Sequence, residues 1–297
     1  MARTRFRSDR GLTLRMGGVS LGLGLLYVAF GVFLIQGLGL GAVGLVIVLA
    51  MSWGQWYFSD TLALKSMGAR EVAPEQAPEL HAMIDRLCAL ADMKKPRVAV
   101  AVTDMPNAFA TGRSPNHSSV CVTTGILQRL DADELEGVLS HELAHVANRD
   151  VTVMTVASSL GLLAGFITRW GLYFGGGRRD RNSGAAFLLV FVVSMVVYFV
   201  SFVLTRSLSR YRELSADRSG AYLTGRPSKL ASALVKISGD MARIPNSDLR
   251  EGQAISAFFF APAISRESIG ALFSTHPPLQ QRLDQLARVG AELSEPI

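Results

Sequence analysis

Hydrophobic residues are concentrated in four long segments of this 297-residue chain. No charged residue occurs between Arg15 and Asp60, and residues 16–35 and 38–58 each have about the twenty residues that a bilayer requires. Because only a Gln-Gly pair separates them, they predict a transmembrane helical hairpin over residues 16–58. A signal peptide is the alternative, but its apolar region would be shorter and would precede a small-residue cleavage site.

The other two apolar segments cover residues 151–168 and 184–205, and a Gly- and Arg-rich loop at 175–181 separates them. If both segments span the membrane, this basic loop lies on the far side, against the positive-inside rule. The alternatives are a hairpin that dips into the near leaflet, or an apolar pair packed on the folded domain. We favour a second spanning hairpin over residues 151–205, because its last segment is long and leads directly into a further predicted helix.

The polar parts of the chain show the patterns of an α+β domain. Helical periodicity runs from Glu79 to Ala91, and alternating apolar residues predict strands at 97–102 and 118–123. Asp131 and Glu134 form a capping box that begins another helix with one buried side. The predicted fold is therefore mainly α, a membrane protein with one α+β domain, a small β-sheet and two transmembrane helical hairpins. The chain then divides into five parts. A basic N-terminus (1–15) precedes the first hairpin (16–58), and the second hairpin (151–205) separates the two parts of the domain (59–150 and 206–297).

Composition supports this picture and adds an orientation. The mean hydropathy of +0.29 is high for a soluble protein, and the net charge of +6 comes mostly from Arg. Five Arg residues within 1–15 place the N-terminus in the cytoplasm by the positive-inside rule, and two crossings return the chain there. No basic stripe with interleaved aromatic residues is present, so nucleic acid is not an expected partner. Cys88 and Cys121 do not form a C-x-x-C pair and are not expected to bind metal.

The strongest chemical signal is His141-Glu142-Leu143-Ala144-His145, which lies in the helix that Asp131 begins. Two imidazoles four residues apart project from one face of a helix and can bind a single Zn²⁺. Glu142 points away from that face and can take a proton from a water at the metal. His81 and His117 are expected outside the site, on a helix surface and in a turn.

A catalytic zinc site needs a third protein ligand, and Glu213 is the candidate. It lies in the helical stretch that continues from the fourth apolar segment and ends at Gly225. Asp217, one turn further, could accept the free N–H of a ligating imidazole. The spacing alone leaves open that Glu213 only pairs with Arg210 or Arg212 on a solvated face.

These motifs resemble the M48 peptidases. The resemblance is carried by the segment from His141 to Asp150, by the Glu213–Asp217 segment, and by the Thr-His-Pro-Pro motif at residues 275–278 with Arg282 after it. It implies a zincin-like metallopeptidase fold, one Zn²⁺ per chain, and His141, His145 and Glu213 as its ligands. It also implies that six residues line the cleft: Asn107, Ala108, Phe109, Ala110, Thr111 and Gly112.

The residues then take catalytic roles. Glu142 is expected to act as general base, and His276 to stabilise the oxyanion, with Arg282 supporting it or acting directly. The alternative for His276 is a surface position before a Pro-rich helix start. Residues 107–112 could offer an exposed strand edge to an extended polypeptide substrate.

The resemblance also implies a biological role. We expect a multi-pass zinc endopeptidase of the bacterial cytoplasmic membrane, with its active site on the cytoplasmic side and with misfolded or damaged membrane proteins as substrates. Self-cleavage is a further expectation. Two rivals stay open: a processing peptidase of narrow specificity, and a non-catalytic scaffold with a structural zinc.

Overall fold

The computed structural model describes residues 10–38, 46, 50, 53–54, 56–158, 161, 164–165, 181–241 and 276–294. The helices in this part of the chain are α1 (Arg10–Leu38), α2 (Ser59–Ser66), α3 (Pro78–Ala91), α4 (Thr124–Arg129), α5 (Ala132–Ala147), α6 (Arg181–Thr224), α7 (Pro227–Met241) and α8 (Leu279–Ser294). The strands are β1 (Arg70–Glu71), β2 (Arg97–Ala101), β3 (Ala108–Ser114) and β4 (His117–Thr123). Residues 150–158 are helical as well.

The four strands form one small mixed sheet in the order β1-β2-β4-β3. Strand β2 pairs in parallel with β4, whereas β1 and β3 pair antiparallel with their neighbours. The two strands predicted from alternation are the central pair, and β3 lies at an edge. One long edge of β3 is therefore not paired with another described strand, and its backbone groups can meet a helix or a ligand.

Helices cover both faces of the sheet. Val98, Val120 and Val122 point into the main core, where they pack with α3, α4 and α5. Ala99 and Cys121 point to the opposite face and pack against α2. This alternation follows from the period of two in a β-strand, and the two-sided burial explains why the central strands are so apolar.

Helix α5 begins where the capping box predicts. The Asp131 side chain accepts a hydrogen bond from the Glu134 backbone N–H at 2.8 Å, and the Glu134 carboxylate accepts one from the Asp131 N–H at 3.0 Å. Two orphan donors of the first turn are thereby satisfied. The helix is buried on nearly all sides, because it contacts the sheet, α6 and α7.

Among the described residues, two helices are long and apolar enough to cross a membrane, namely residues Arg10–Phe33 and Leu188–Thr224. They pack on each other, yet large apolar side chains on their outer faces stay exposed, for example Leu21 at 66% and Phe199 at 58%. Such exposed apolar surface is typical of a lipid-facing helix. The described residues do not show the two predicted hairpins, because most of residues 38–58 and 159–180 lies outside them.

One sequence-based expectation about the domain is wrong. His81 was expected on a helix surface, but its side chain is buried and its Nε2 atom lies 3.0 Å from the Val72 carbonyl oxygen. The carbonyl belongs to the segment that follows β1, so a polar contact across the fold, which helical periodicity does not reveal, draws the imidazole inward.

Candidate metal centre

Helices α5 and α6 bring two imidazoles and one carboxylate to a single point. The Nε2 atoms of His141 and His145 are 3.0 Å apart, and the Glu213 carboxylate oxygens lie 3.6 Å and 3.4 Å from them. Ligands about 2.1 Å from a tetrahedral zinc ion are about 3.4 Å from one another. The three side chains therefore fit one Zn²⁺, and they are the three that the sequence predicts as ligands.

Each imidazole has a carboxylate behind it. The Nδ1 atom of His141 lies 2.9 Å from Asp217 Oδ1, and the Nδ1 atom of His145 lies 2.6 Å from Asp150 Oδ2. An Nδ1–H that donates to a carboxylate leaves Nε2 with its lone pair directed at the other ligands. Asp217 thus lies one turn from Glu213 and behind an imidazole, as the sequence predicts, and both carboxylates favour the ring tautomer that a metal needs.

Arg282 lies behind Asp217. Its Nε and Nη2 atoms donate to the two Asp217 carboxylate oxygens at 2.8 Å and 2.6 Å, and only 1% of the side chain is exposed. Arg282 does not line the cavity at the site. We expected Arg282 either to support His276 or to act directly, and its contacts are instead with Asp217 and, at 3.8 Å, with Glu213. The structure places Arg282 as a support of the Asp217–His141 pair.

Glu142 lies beside the ligand cluster and faces strand β3. Its Oε2 atom accepts a hydrogen bond from the Ala110 backbone N–H at 2.7 Å, which links it to the edge strand. Burial raises the pKa of Glu142, although the neighbouring imidazoles of His141 and His145 act in the opposite direction. A carboxylate with a raised pKa is a stronger base, which suits a group that takes a proton from water.

The two imidazoles also have perturbed proton affinities. Burial disfavours the imidazolium form of His141, but Asp217 and Glu213 outweigh burial and raise its pKa. Burial likewise acts against protonation of His145, whereas hydrogen bonding to Glu213 and the nearby carboxylate charges raise its pKa overall. A cluster of anionic groups around two imidazoles favours a cation at this position, and a metal ion can replace the protons.

A cavity of about 590 Å³ opens onto the cluster. His276 lines it, and the His276 Nδ1 atom lies 3.0 Å from Glu213 Oε2. Because His276 is buried at the site and immediately precedes the two prolines before α8, its position does not agree with the alternative of a surface histidine. The imidazole is close enough to the ligand cluster to contact a group bound there.

Strand β3 forms one wall of the same cavity. Of the six residues expected to line the cleft, four do so: Ala108, Phe109, Ala110 and Thr111. The outer two do not. Asn107 is bonded through its backbone to Thr123 on the neighbouring strand, and Gly112 adopts a φ of +137° where a Cβ would lie 2.3 Å from the His117 carbonyl oxygen. Asn107 thereby fixes the start of β3 beside β4, and Gly112 allows the two strands to approach closely where a side chain would clash.

Two residues at the site, Asp150 and Arg212, were not predicted from the sequence. Asp150 lies beyond the end of α5, but Arg149 adopts a φ of +56° and turns the chain so that the carboxylate reaches back to His145. Arg212 pairs with Asp150 and donates to the Asn148 carbonyl oxygen at 3.0 Å. The sequence does show a carboxylate five residues after the second His. That spacing does not correspond to one face of a helix, so helical periodicity does not single it out.

The site and the fold together define a metallopeptidase: an H-E-x-x-H helix, a carboxylate ligand from a second helix, and an edge strand beside the general-base candidate. Residues 74–289 match peptidase family M48, and the chain belongs to this family. The resemblance inferred from the motifs is thereby confirmed.

Relatives agree over almost the whole chain. It is 56% identical to "Protease HtpX homolog 1" of Streptomyces coelicolor, an alignment that covers 98% of this chain and 97% of the relative. It is 53% identical to "Protease HtpX homolog" of Moorella thermoacetica, with 99% of each chain covered. Among solved structures, that of S. mikatae Ste24p matches with a TM-score of 0.52 and 16% identity, over 94% of this chain and 66% of that one. This last likeness concerns the fold alone. Family and apolar helices together support a membrane protease that acts on polypeptides.

Proposed function

We propose that this chain is a zinc endopeptidase of the bacterial cytoplasmic membrane, and that it hydrolyses misfolded or damaged membrane proteins at the cytoplasmic face. The observation that carries the proposal is the convergence of His141, His145 and Glu213 within metal-binding distance, next to Glu142 and inside an open cavity. A structural zinc would need a fourth protein ligand. Among the described residues, the cluster that can hold an ion has only three.

The proposed chemistry divides among the three ligands and four further residues. His141, His145 and Glu213 would hold Zn²⁺, which would supply Lewis acidity to the scissile carbonyl and to a water molecule. Glu142 takes a proton from the attacking water and returns it to the leaving amine. His276 lies within reach of charge that develops on the carbonyl oxygen, and a donor in that position is typically worth about 3 kcal/mol. Asp217 and Asp150 hold the two imidazoles in orientation, as the Nδ1 distances indicate.

Strand β3 is the proposed substrate platform. An extended polypeptide could pair with its outer edge, where Ala110 now donates to Glu142. Backbone hydrogen bonds depend little on the side chains of the substrate. This mode of binding therefore suits an enzyme whose substrates share an unfolded conformation rather than a sequence. Self-cleavage of an exposed loop is part of the same proposal.

The exposed apolar faces of α1 and α6 support membrane anchoring. We propose the topology predicted from the sequence, with spanning hairpins at 16–58 and 151–205 and the domain on the cytoplasmic side. Accessibility of Cys residues introduced at Arg178 to Arg181 to a membrane-impermeant reagent in intact cells tests it. Labelling from outside supports two full crossings, and complete protection contradicts them.

The test of activity compares the wild type with Glu142→Gln, both loaded with zinc in detergent. We expect Glu142→Gln to keep stoichiometric zinc and to lose cleavage of an unfolded membrane protein. The matched control is Glu136→Gln, the same change on the same helix at a residue that pairs with Arg86 at 2.7 Å and does not line the cavity. Cleavage by Glu142→Gln at the wild-type rate would contradict the role of Glu142 as general base. A wild type that binds zinc but does not cleave would favour a non-catalytic scaffold.

A further inference from the structure

The cavity at the metal centre extends well beyond the catalytic residues. It continues along helix α6 towards the apolar end of that helix, where Tyr198, Phe202 and Arg206 line it. Three further residues of α6 with hydroxyl groups line the same wall: Ser201, Thr205 and Ser209. The part of the cavity remote from the catalytic residues is therefore a mixed surface of aromatic rings, hydroxyls and one guanidinium.

Arg206 differs from the other arginines of this helix in its surroundings. Arg212 is paired with Asp150, and Arg210 donates to the Ser207 hydroxyl at 3.1 Å and does not line the cavity. Arg206 stacks over the Phe202 ring, with 4.8 Å between its guanidinium carbon and the ring centroid. Within the described part of the chain, no carboxylate forms an ion pair with it. A half-buried cation of this kind is expected to attract an anion.

The position of Arg206 relative to the metal ligands determines how far from the cleaved bond a substrate group must lie to reach it. Arg206 and Glu213 are seven residues apart on one continuous helix, so they share a face and are separated by about 10 Å along the axis. An extended peptide advances about 3.3 Å per residue. A peptide whose scissile bond lies at the metal centre would therefore bring a group about three residues away to the Arg206 guanidinium.

We infer that Arg206 forms a carboxylate-binding subsite of the substrate cleft. The inference rests on the proposed peptidase function and adds a specificity to it: substrates are selected for a carboxylate about three residues from the cleaved bond. The carboxylate could come from an Asp or Glu side chain or from the C-terminus of the substrate. A guanidinium binds a carboxylate through two parallel N–H donors, which suits the side of the cavity that Arg206 lines.

A lipid phosphate is the competing ligand, because Arg206 follows directly after the apolar part of α6. Arginines that anchor a helix to the interface extend outward to the headgroups. Arg206 instead lines the cavity that also contains Glu142 and His276. This shared wall favours a ligand that enters the cleft over one that stays in the bilayer.

The experiment profiles cleavage of a randomised synthetic peptide library by the zinc-loaded full chain in detergent, with product ends identified by mass spectrometry. We expect wild-type products to be enriched in Asp and Glu at about three residues from the cut. Arg206→Gln should remove the enrichment and lower kcat/KM for an acidic peptide about tenfold, with little change for its Gln counterpart. Arg206→Glu should shift the enrichment to Lys and Arg, a reversal that loss of folding cannot produce. The control Arg210→Gln should keep the wild-type profile.

Two further measurements accompany the library profile. The first identifies the source of the carboxylate, and the second tests whether Arg206 binds a lipid instead. Peptides with a free or an amidated C-terminus, each with Glu or Gln at the third position, separate a terminal carboxylate from a side chain. Flotation with phosphatidylglycerol vesicles measures lipid binding. An unchanged profile in Arg206→Gln with weakened flotation would overturn the subsite in favour of a lipid contact. A wild type that cleaves without acidic preference also overturns it but leaves the peptidase function intact, whereas a wild type without zinc-dependent cleavage contradicts the proposed function itself.

Discussion

The Nδ1 atom of His145 lies 2.6 Å from Asp150 Oδ2, although Asp150 stands outside the helix that carries the imidazole. The residue thereby connects three parts of the site: the second imidazole of the H-E-x-x-H motif, the chain that leaves α5, and Arg212 on α6. A carboxylate in this position fixes the ring orientation and makes the imidazole a better ligand.

Asp150→Ala is therefore expected to weaken zinc binding by about 10- to 100-fold while the domain stays folded. Competition with a chelator of known affinity measures the change, and circular dichroism checks the fold. Asp133→Ala is the matched control, because the Asp133 side chain on α5 is 43% exposed and its two partners, Arg226 and Lys229, lie at the surface with it. Equal zinc affinity in Asp150→Ala and wild type would contradict a role in positioning His145.

The buried pair of Asp217 and Arg282 should contribute more to stability than to substrate contact. Arg282→Met leaves the Asp217 carboxylate buried with only His141 as a partner, which is expected to cost about 3–5 kcal/mol. Denaturant unfolding in detergent gives the free energy. The double change Asp217→Leu with Arg282→Met removes both charges and should recover part of the loss. If the single variant were as stable as wild type but inactive, Arg282 would instead act on the substrate.

The two imidazoles of the candidate ligand set could be predicted from the sequence because their placement rests on local geometry. A spacing of four residues on a helix places His141 and His145 together whatever surrounds them, and the capping box at Asp131 fixes where that helix begins. The prediction of Glu213 as a ligand required evidence beyond its spacing. Its own spacing could not exclude a solvated face, and the motif resemblance supplied the remaining support.

The parts that could not be predicted depend on tertiary placement. Asp150 reaches His145 because Arg149 takes a left-handed conformation. Neither an Arg nor an Asp at these positions predicts such a turn. Arg282 was expected to support His276 or to act directly, because the order of the motifs does not show how deeply a residue is buried. In the fold it lies behind Asp217 and donates to its carboxylate. His81 moved from the expected surface to the interior for the same reason.

Both cysteines should be unreactive in the folded protein. Burial raises the pKa of Cys88 to about 11 and that of Cys121 to about 12. At pH 8 the thiolate fraction of Cys88 is then about one in a thousand, and it grows only as the pH rises towards the raised pKa. Iodoacetamide at pH 8 is expected to modify neither residue in the native protein and both after denaturation. Rapid native labelling of Cys121 would show that the sheet face against α2 is open.

Gly220 sets how closely α6 approaches the helix of the H-E-x-x-H motif. A Cβ at this position would lie 2.9 Å from both the His141 backbone nitrogen and the Ser140 Oγ atom. Gly220→Ala must therefore push the two helices apart at a backbone contact, which is expected to cost about 1–3 kcal/mol of stability. Because Glu213 lies seven residues earlier on the same helix, the shift should also move it away from the two imidazoles.

Gly239→Ala provides the matched control for this change, since Gly239 is an exposed residue of α7 with nothing within 4 Å of the added methyl group. It should raise stability slightly, because alanine is the better helix former. Zinc affinity and unfolding free energy are measured for both variants. We expect Gly220→Ala to lose affinity for zinc and Gly239→Ala to keep it, so that the metal site reports the spacing between α5 and α6 directly. Equal zinc affinity in the two variants would mean that the helices adjust without moving the ligands.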